Sequence, residues 1–225
     1  MSVYAATDWH GYGWVWDKVK AFLKPDDTLY FLGDAIDRGH DGFRIMKELY
    51  EDPRVIYLKG NHEDMLVATY LNQHQYYDHP FQTWMYNGGR PTFEAVPFDD
   101  RKDWARAISE LPTRVIYVNR EGITIDMTHS GADDTDYNRL WSREHFFDKP
   151  IEDRIIVHGH TPIPYLAEDL SFFNPNIPEE LPSNFWYCNG TKCDIDCGTV
   201  MTGKCVLLNL DTFEATTFME DAQDA

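Results

Sequence analysis

Three short blocks carry side chains of the kind that bind cations: Asp8-Trp9-His10-Gly11, Gly33-Asp34-Ala35-Ile36-Asp37-Arg38-Gly39 and Gly60-Asn61-His62-Glu63. They follow one another at intervals of about 25 residues, each directly after a short apolar run. Asp, His and Asn placed at the ends of neighbouring strands make a donor set for two metal ions. Such a pair sits roughly 3.5–4 Å apart, activates a water and stabilises a leaving oxygen. One carboxylate shared by both ions fixes that separation, and Asp34 is placed to be the bridge. Taken singly, Asp8 and Asn61 read as turn residues and His10 as an ordinary satisfied histidine. In combination they read as ligands.

In this order and spacing the blocks resemble the metallophosphoesterase signature. The variant is similar to that of the PPP-type serine/threonine protein phosphatases, particularly the compact bacterial and phage (lambda-type) forms. The resemblance implies a four-layer α/β fold of the calcineurin-like metallophosphoesterase kind, with two mixed β-sheets face to face and helices outside. It assigns Asp8 and His10 to a first metal, Asp34 to both, and Asn61 to a second. The family's remaining second-metal histidines match His129 in Met127-Thr128-His129-Ser130-Gly131 and His160 in Val157-His158-Gly159-His160-Thr161-Pro162. At the first of these the family's His-Gly-Gly becomes His-Ser-Gly. Broader phosphodiesterase relatives carry Gly-His-x-His; Pro162 stands where that last histidine would be, which favours the PPP-type arrangement with His10 in its stead. His158 is read as a supporting residue.

The same resemblance implies hydrolysis of phosphoserine or phosphothreonine on proteins, with phosphotyrosine left open, by direct attack of a hydroxide bridging the metals. A serine or threonine alkoxide leaves poorly, so protonating it is worth a typical factor of about 10²–10⁴. His62 is the candidate acid, and Asp37 would orient and polarise it. Arg38 and Arg143 are the candidates for gripping phosphoryl oxygens, because guanidinium offers phosphate a two-pronged donor. Asp196 and Gly198 resemble a family block read as support near the site. A second enzymatic reading is symmetrical dinucleoside tetraphosphate hydrolysis or another small-molecule phosphoester or phosphoanhydride activity; a third is a binding protein with a dead site. Mixed His, Asp and Asn donors suit Mn, Fe or Zn better than Mg or Ca, and manganese is expected because compact relatives commonly depend on it.

These residues need elements to hold them. Ser2–Thr7, Thr28–Leu32 and Arg54–Leu58 read as strands, and Trp14–Leu23, Phe43–Tyr50 and Glu63–Leu71 as helices. This β-α-β-α-β pattern predicts a parallel sheet with the three blocks at the carboxyl ends of its strands. An aromatic, partly helical insert is expected at about 72–113, and strands at 114–118, 122–128, 154–157, 185–188, 193–196, 204–210 and 214–218. The insert and a proline-rich loop at about 163–184 are expected to wall the substrate groove. The whole reads as one catalytic domain over residues 1–225.

With 43% hydrophobic and 15% aromatic residues, the 225-residue chain can build a sizeable core. A formal charge of −18 argues against nucleic acid as a partner. No apolar run approaches the roughly 18 residues of a membrane helix, and the start does not read as a signal peptide. A cytoplasmic enzyme acting on a phosphoprotein or phosphopeptide is therefore expected. Cys188, Cys193, Cys197 and Cys205 lack the two-residue spacing of a zinc knuckle. Cys188 and Cys193 are expected to flank a four-residue hairpin loop as free thiols.

Overall fold

The computed structural model describes residues 1–72, 76–132, 134–144, 152–166 and 182–221. Two five-stranded mixed sheets pack face to face. The first has the order β10-β9-β1-β2-β3, from Val3–Ala6 (β1), Thr28–Phe31 (β2), Val55–Tyr57 (β3), Lys204–Asn209 (β9) and Ala215–Met219 (β10). β1, β2 and β3 run parallel, while β9 and β10 are antiparallel additions. The second has the order β4-β5-β6-β8-β7, from Arg114–Val118 (β4), Thr124–Thr128 (β5), Ile155–His158 (β6), Phe185–Tyr187 (β7) and Lys192–Asp194 (β8). Here β5, β6 and β8 are parallel, flanked by antiparallel β4 and β7.

The two-residue alternation of a strand explains the layering. Val3, Ala5, Tyr30, Leu32, Val206 and Leu208 meet Ile125, Met127, Val157 and Cys193 between the sheets. Their neighbours Ala6, Leu29, Phe31, Cys205 and Leu207 face the other way. There they pack with residues of α1 (Gly13–Phe22), α2 (Gly42–Glu51), α3 (Asn61–Leu71) and α6 (Arg101–Ser109). Strands buried on both faces must be apolar there, and β1 and Leu29, Tyr30 and Phe31 of β2 are.

The insert contains α4 (Pro80–Tyr86), α5 (Arg90–Ala95) and α6, with proline in the first turn of both α4 and α5. Pro91 thus starts a helix rather than breaking one, since its missing N–H would be unpaired there anyway. A further helix, α7 (Asp136–Trp141), is capped by Thr135, whose side chain accepts from the Asn138 N–H. Most of the proline-rich loop lies outside the described residues. Among the described residues no helix is long and apolar enough to cross a membrane.

The β7–β8 hairpin differs from expectation by one residue. Tyr187 pairs with Lys192 and Trp186 with Cys193, so Cys188 belongs to the loop and does not oppose Cys193. Cys188, Asn189 and Gly190 all have positive φ, which turns the chain one residue earlier than the sequence suggests. All four cysteines are free thiols.

Candidate active site

The six candidate metal donors sit just beyond strands, and six of the candidate residues, in three loops, are left-handed. Asp8 follows β1, Asp34 follows β2, and Asn61 follows β3 as the first residue of α3. From the other sheet, His129 follows β5 and His160 follows β6. Asp8, His10, Asp34, Asp37, Arg38 and His160 have φ between 44° and 74°. An L-residue there costs on the order of 1–2 kcal/mol, although Asp is among the residues that tolerate it best. The loops hold one another in this shape. Asp8 N–H donates to Gly33 O, His10 N–H to Asp34 O, Gly11 N–H to Ala35 O, and Gly39 N–H to His10 O, at 2.8–3.0 Å.

Glu63 fastens the first sheet's loops from below. Fully buried, its Oε2 accepts from the N–H groups of Asp34 and Gly60, and its Oε1 from Ala35 N–H and Tyr57 Oη. Gly33 and Gly60 meet so closely that a Cβ on Gly60 would lie 2.1 Å from Asp34 Oδ1. The start of α3 therefore abuts the Asp34 carboxylate, and His62 N–H donates to Asp34 Oδ1 at 3.0 Å. A helix N-terminus favours that negative charge.

Asp34 Oδ2 is the common point of the cluster. It lies 3.7 Å from His10 Nε2, 3.8 Å from His62 Nε2 and 3.5 Å from His129 Nε2. Asp8 Oδ1 is 3.7 Å from His10 Nε2, while Asp8 Oδ2 accepts from Thr7 Oγ1 and from His160 N–H. Asn61 Oδ1 lies 2.9 Å from His129 Nε2 and 3.0 Å from His160 Nδ1. Ligand atoms of His10, Asp34 and His62 fall within 4.8 Å of one another, as do those of Asp34, His129 and His160. Two overlapping groups thus share Asp34.

The ring nitrogens are prepared for this. His129 Nδ1 stands 2.9 Å from Leu32 O and His10 Nδ1 stands 3.2 Å from Ile36 O. A carbonyl only accepts, so each Nδ1 carries the proton and each Nε2 is left facing the cluster. His160 keeps a buried Nε2 with no hydrogen-bond partner among the described residues. Burial, then Arg38 and His62, hold His10 neutral; burial, then His129 and Arg143, do the same for His160. Burial opposes charge on Asp34 as well, but His129 and His62 hold its carboxyl well below the usual range. Burial also opposes charge on His129, yet Asp34 and Asp8 push its pKa up to about 10. The carboxylates thus call for positive charge at this point, which divalent cations supply, and the donor set fits them.

Beside the cluster, His62 Nδ1 donates to Asp37 Oδ2 at 2.6 Å. Its Nε2 faces the opening, 3.4 Å from an Arg38 Nη2. Burial disfavours the imidazolium, but Asp34 and Asp37 together outweigh it and raise the pKa of His62. Arg38 is exposed, and exposed Arg143 reaches His160 O with Nη2 at 3.5 Å. Both arginines border a cleft of about 600 Å³ that also exposes His10, Asp34, Asn61, His62 and His160. Asp196 and Gly198 border it too, beside Trp141, Tyr165 and Met201. His158 is buried with Nε2 2.6 Å from Tyr187 Oη, away from the cleft lining, consistent with support. His40 and His79 are exposed, whereas His74 and His145 lie outside the described residues.

Sequence reasoning missed the residues behind the dyad. Trp84 Nε1 donates to Asp37 Oδ2 at 2.8 Å, and Asp37 N–H donates to Thr92 Oγ1 at 2.9 Å. Both partners belong to the insert, of which Asn87 alone borders the cleft among the described residues. No local pattern links positions 47 and 55 apart; only the unusual aromatic content of the insert marked it.

Two packed mixed sheets and a buried Asp/His/Asn cluster at their strand ends define a metal-dependent phosphoesterase scaffold. The sequence model of the calcineurin-like phosphoesterases matches residues 1–185, and the chain belongs to that family, whose members use a dinuclear divalent-metal centre. No curated protein sequence matches the chain. Among solved structures, it is similar to a candidate diadenosine tetraphosphatase (TM-score 0.62, 15% identity, covering 98% of this chain and 94% of that one). A protein serine/threonine phosphatase from Saccharomyces cerevisiae also aligns, at TM-score 0.55 and 14% identity over 98% of this chain and 80% of that one. A cold-active protein-tyrosine phosphatase from a psychrophilic Shewanella species gives TM-score 0.55 and 15% identity over the same shares, 98% and 80%. At these identities the likeness is one of fold.

Proposed function

We propose that the chain is a phosphomonoesterase acting on phosphoserine and phosphothreonine residues of proteins. The observation that carries this reading is the Asp37–His62 pair, with Nε2 turned toward the opening and Arg38 beside it. Cleaving a monoester of an aliphatic alcohol demands a proton for a basic leaving oxygen, and a buried carboxylate–imidazole pair is suited to give it.

In this reading Asp8, His10, Asp34, Asn61, His129 and His160 hold two divalent transition-metal ions, with manganese first choice and iron or zinc next. When bound, such ions polarise phosphoryl oxygens and lower the pKa of a water enough for it to act near neutral pH. Arg38 and Arg143 bind the phosphoryl oxygens from the two sides of the cleft and orient phosphorus toward the cluster. His62 gives its Nε2 proton to the departing side-chain oxygen, and Asp37 stabilises the protonated ring before the transfer.

His62→Asn, assayed on a phosphoserine peptide and on p-nitrophenyl phosphate, tests the acid. The expected loss is about 10²-fold or more on the peptide and much smaller on the activated ester, since p-nitrophenolate barely needs a proton. Equal losses would refute the role. Turnover of diadenosine tetraphosphate far above that of phosphopeptides, in a manganese-supplemented screen, would instead assign the small-molecule reading.

A further inference from the structure

We infer that Trp84 is a positioning residue for the acid, acting through Asp37, and that the insert exists to clamp the Asp37–Arg38 turn. This rests on the reading of His62 given above. Asp37 Oδ2 accepts two hydrogen bonds, from His62 Nδ1 at 2.6 Å and from Trp84 Nε1 at 2.8 Å. Its other oxygen, Oδ1, is buried and has no hydrogen-bond partner among the described residues. A carboxylate is nearly symmetric, so His62 Nδ1 alone could donate to either oxygen and would tolerate rotations between them. The indole N–H narrows that freedom, because any intermediate rotation of the carboxylate would leave a buried donor unpaired.

Trp84 itself cannot yield. It is fully buried, with its ring 5.7 Å from Tyr70 and 6.3 Å from Phe93, both edge-on. Gly89 lies against the same ring: a Cβ there would come within 2.5 Å of the indole. The insert also reaches the main chain of the turn. Arg38 N–H donates to Gly88 O at 2.9 Å and Asp37 N–H to Thr92 Oγ1 at 2.9 Å. Two consecutive left-handed residues, Asp37 at φ 74° and Arg38 at φ 65°, are thereby pinned from one side. The turn carries both the partner of the acid and a phosphate-binding candidate, so their relative placement depends on a segment almost wholly outside the cleft.

The test is Trp84→Phe in the metal-loaded enzyme, assayed on phenyl phosphate and p-nitrophenyl phosphate beside His62→Asn. Phenolate needs the proton and p-nitrophenolate barely does, so misplacing the acid lowers kcat on phenyl phosphate selectively. The expected loss is about 10-fold on phenyl phosphate and under about 3-fold on p-nitrophenyl phosphate, a part of the whole acid effect. KM on both should stay near that of the parent, with metal content unchanged. Phe93→Leu, which disturbs the same packing without touching Asp37, should lower Tm and leave the ratio of the two substrates alone. Should Trp84→Phe not fold, benzothienylalanine at position 84 replaces the indole N–H by sulfur at nearly constant shape. An unchanged substrate ratio in the Trp84 variant, with a leaving-group-dependent loss in His62→Asn, would overturn the inference about Trp84 alone. Equal losses on both substrates in His62→Asn would overturn the acid reading, and this inference with it.

Discussion

At the scale of single residues, the site is a set of close approaches that leave no spare volume. Gly60 is the sharpest case, because a Cβ there would sit 2.1 Å from Asp34 Oδ1 and 2.5 Å from Asp34 N. Gly60→Ala must move either the carboxylate at the centre of the cluster or the start of α3. The expected outcome is loss of at least one bound ion per chain by elemental analysis, with activity down about 100-fold. Retention of the parent's metal content would show that the loop relaxes. The candidate donors were legible at this scale as motif residues, and Asp8, His10, Asp34, Asn61, His129 and His160 do come together in space. What sequence could not supply was the tautomer. Leu32 O and Ile36 O fix the protons of His129 and His10, and a backbone carbonyl has no sequence signature.

At the scale of elements, the strands and crossover helices were readable from apolar alternation and helical spacing, with ends differing by a residue or two. Two departures have clear causes. α3 begins at Asn61, two residues before the apolar pattern does, because Glu63 pairs with the Gly60 N–H and closes the first turn. The β7–β8 loop shifts because three left-handed residues in a row turn the chain early. The insert's contact with the dyad was not legible: beside Asn87, which borders the cleft as a groove wall would, Trp84 and Thr92 hydrogen-bond Asp37.

Element ends also carry a pH dependence. Asp52, just past α2, accepts from Nε, Nη2 and the backbone N–H of Arg54 at 2.7–3.0 Å. The Arg54 side chain is the main cause of its lowered pKa, with burial working the other way. A depressed folded-state value means that the carboxylate stabilises the fold above its ordinary value of 3.8 and ceases to as pH falls through the lower folded value. Asp52→Asn should cost about 1 kcal/mol near neutral pH, or roughly 2–4 °C in Tm. That difference should shrink as the pH drops below 3.8 and through the lower folded value. A Tm gap that stays constant down to about pH 2 would contradict the assignment.

On the scale of the whole molecule, the charge of −18 shapes the encounter with any phosphorylated partner. Long-range repulsion slows a dianionic, acid-flanked phosphopeptide and draws in a basic one, and salt screens both effects beyond about 10 Å. Raising ionic strength from about 10 to about 150 mM should therefore raise kcat/KM for an acid-flanked peptide and lower it for an Arg-flanked one. Parallel responses of the two peptides would place the dominant field in the cleft rather than on the surface.

The cleft is also a seam between the sheets. His129 leans on Leu32 O across 97 positions of the chain, and the backbone of His160 ties to Asp8 across 152. Neither half of the polypeptide holds the cluster alone. During synthesis, the amino-terminal strands emerge before the second sheet that covers them and before β9 that pairs with β1, so alone they present only an incomplete ring of ligands. The ligand cluster is therefore a product of the whole chain, closed only when residues from both ends of the order of synthesis have met.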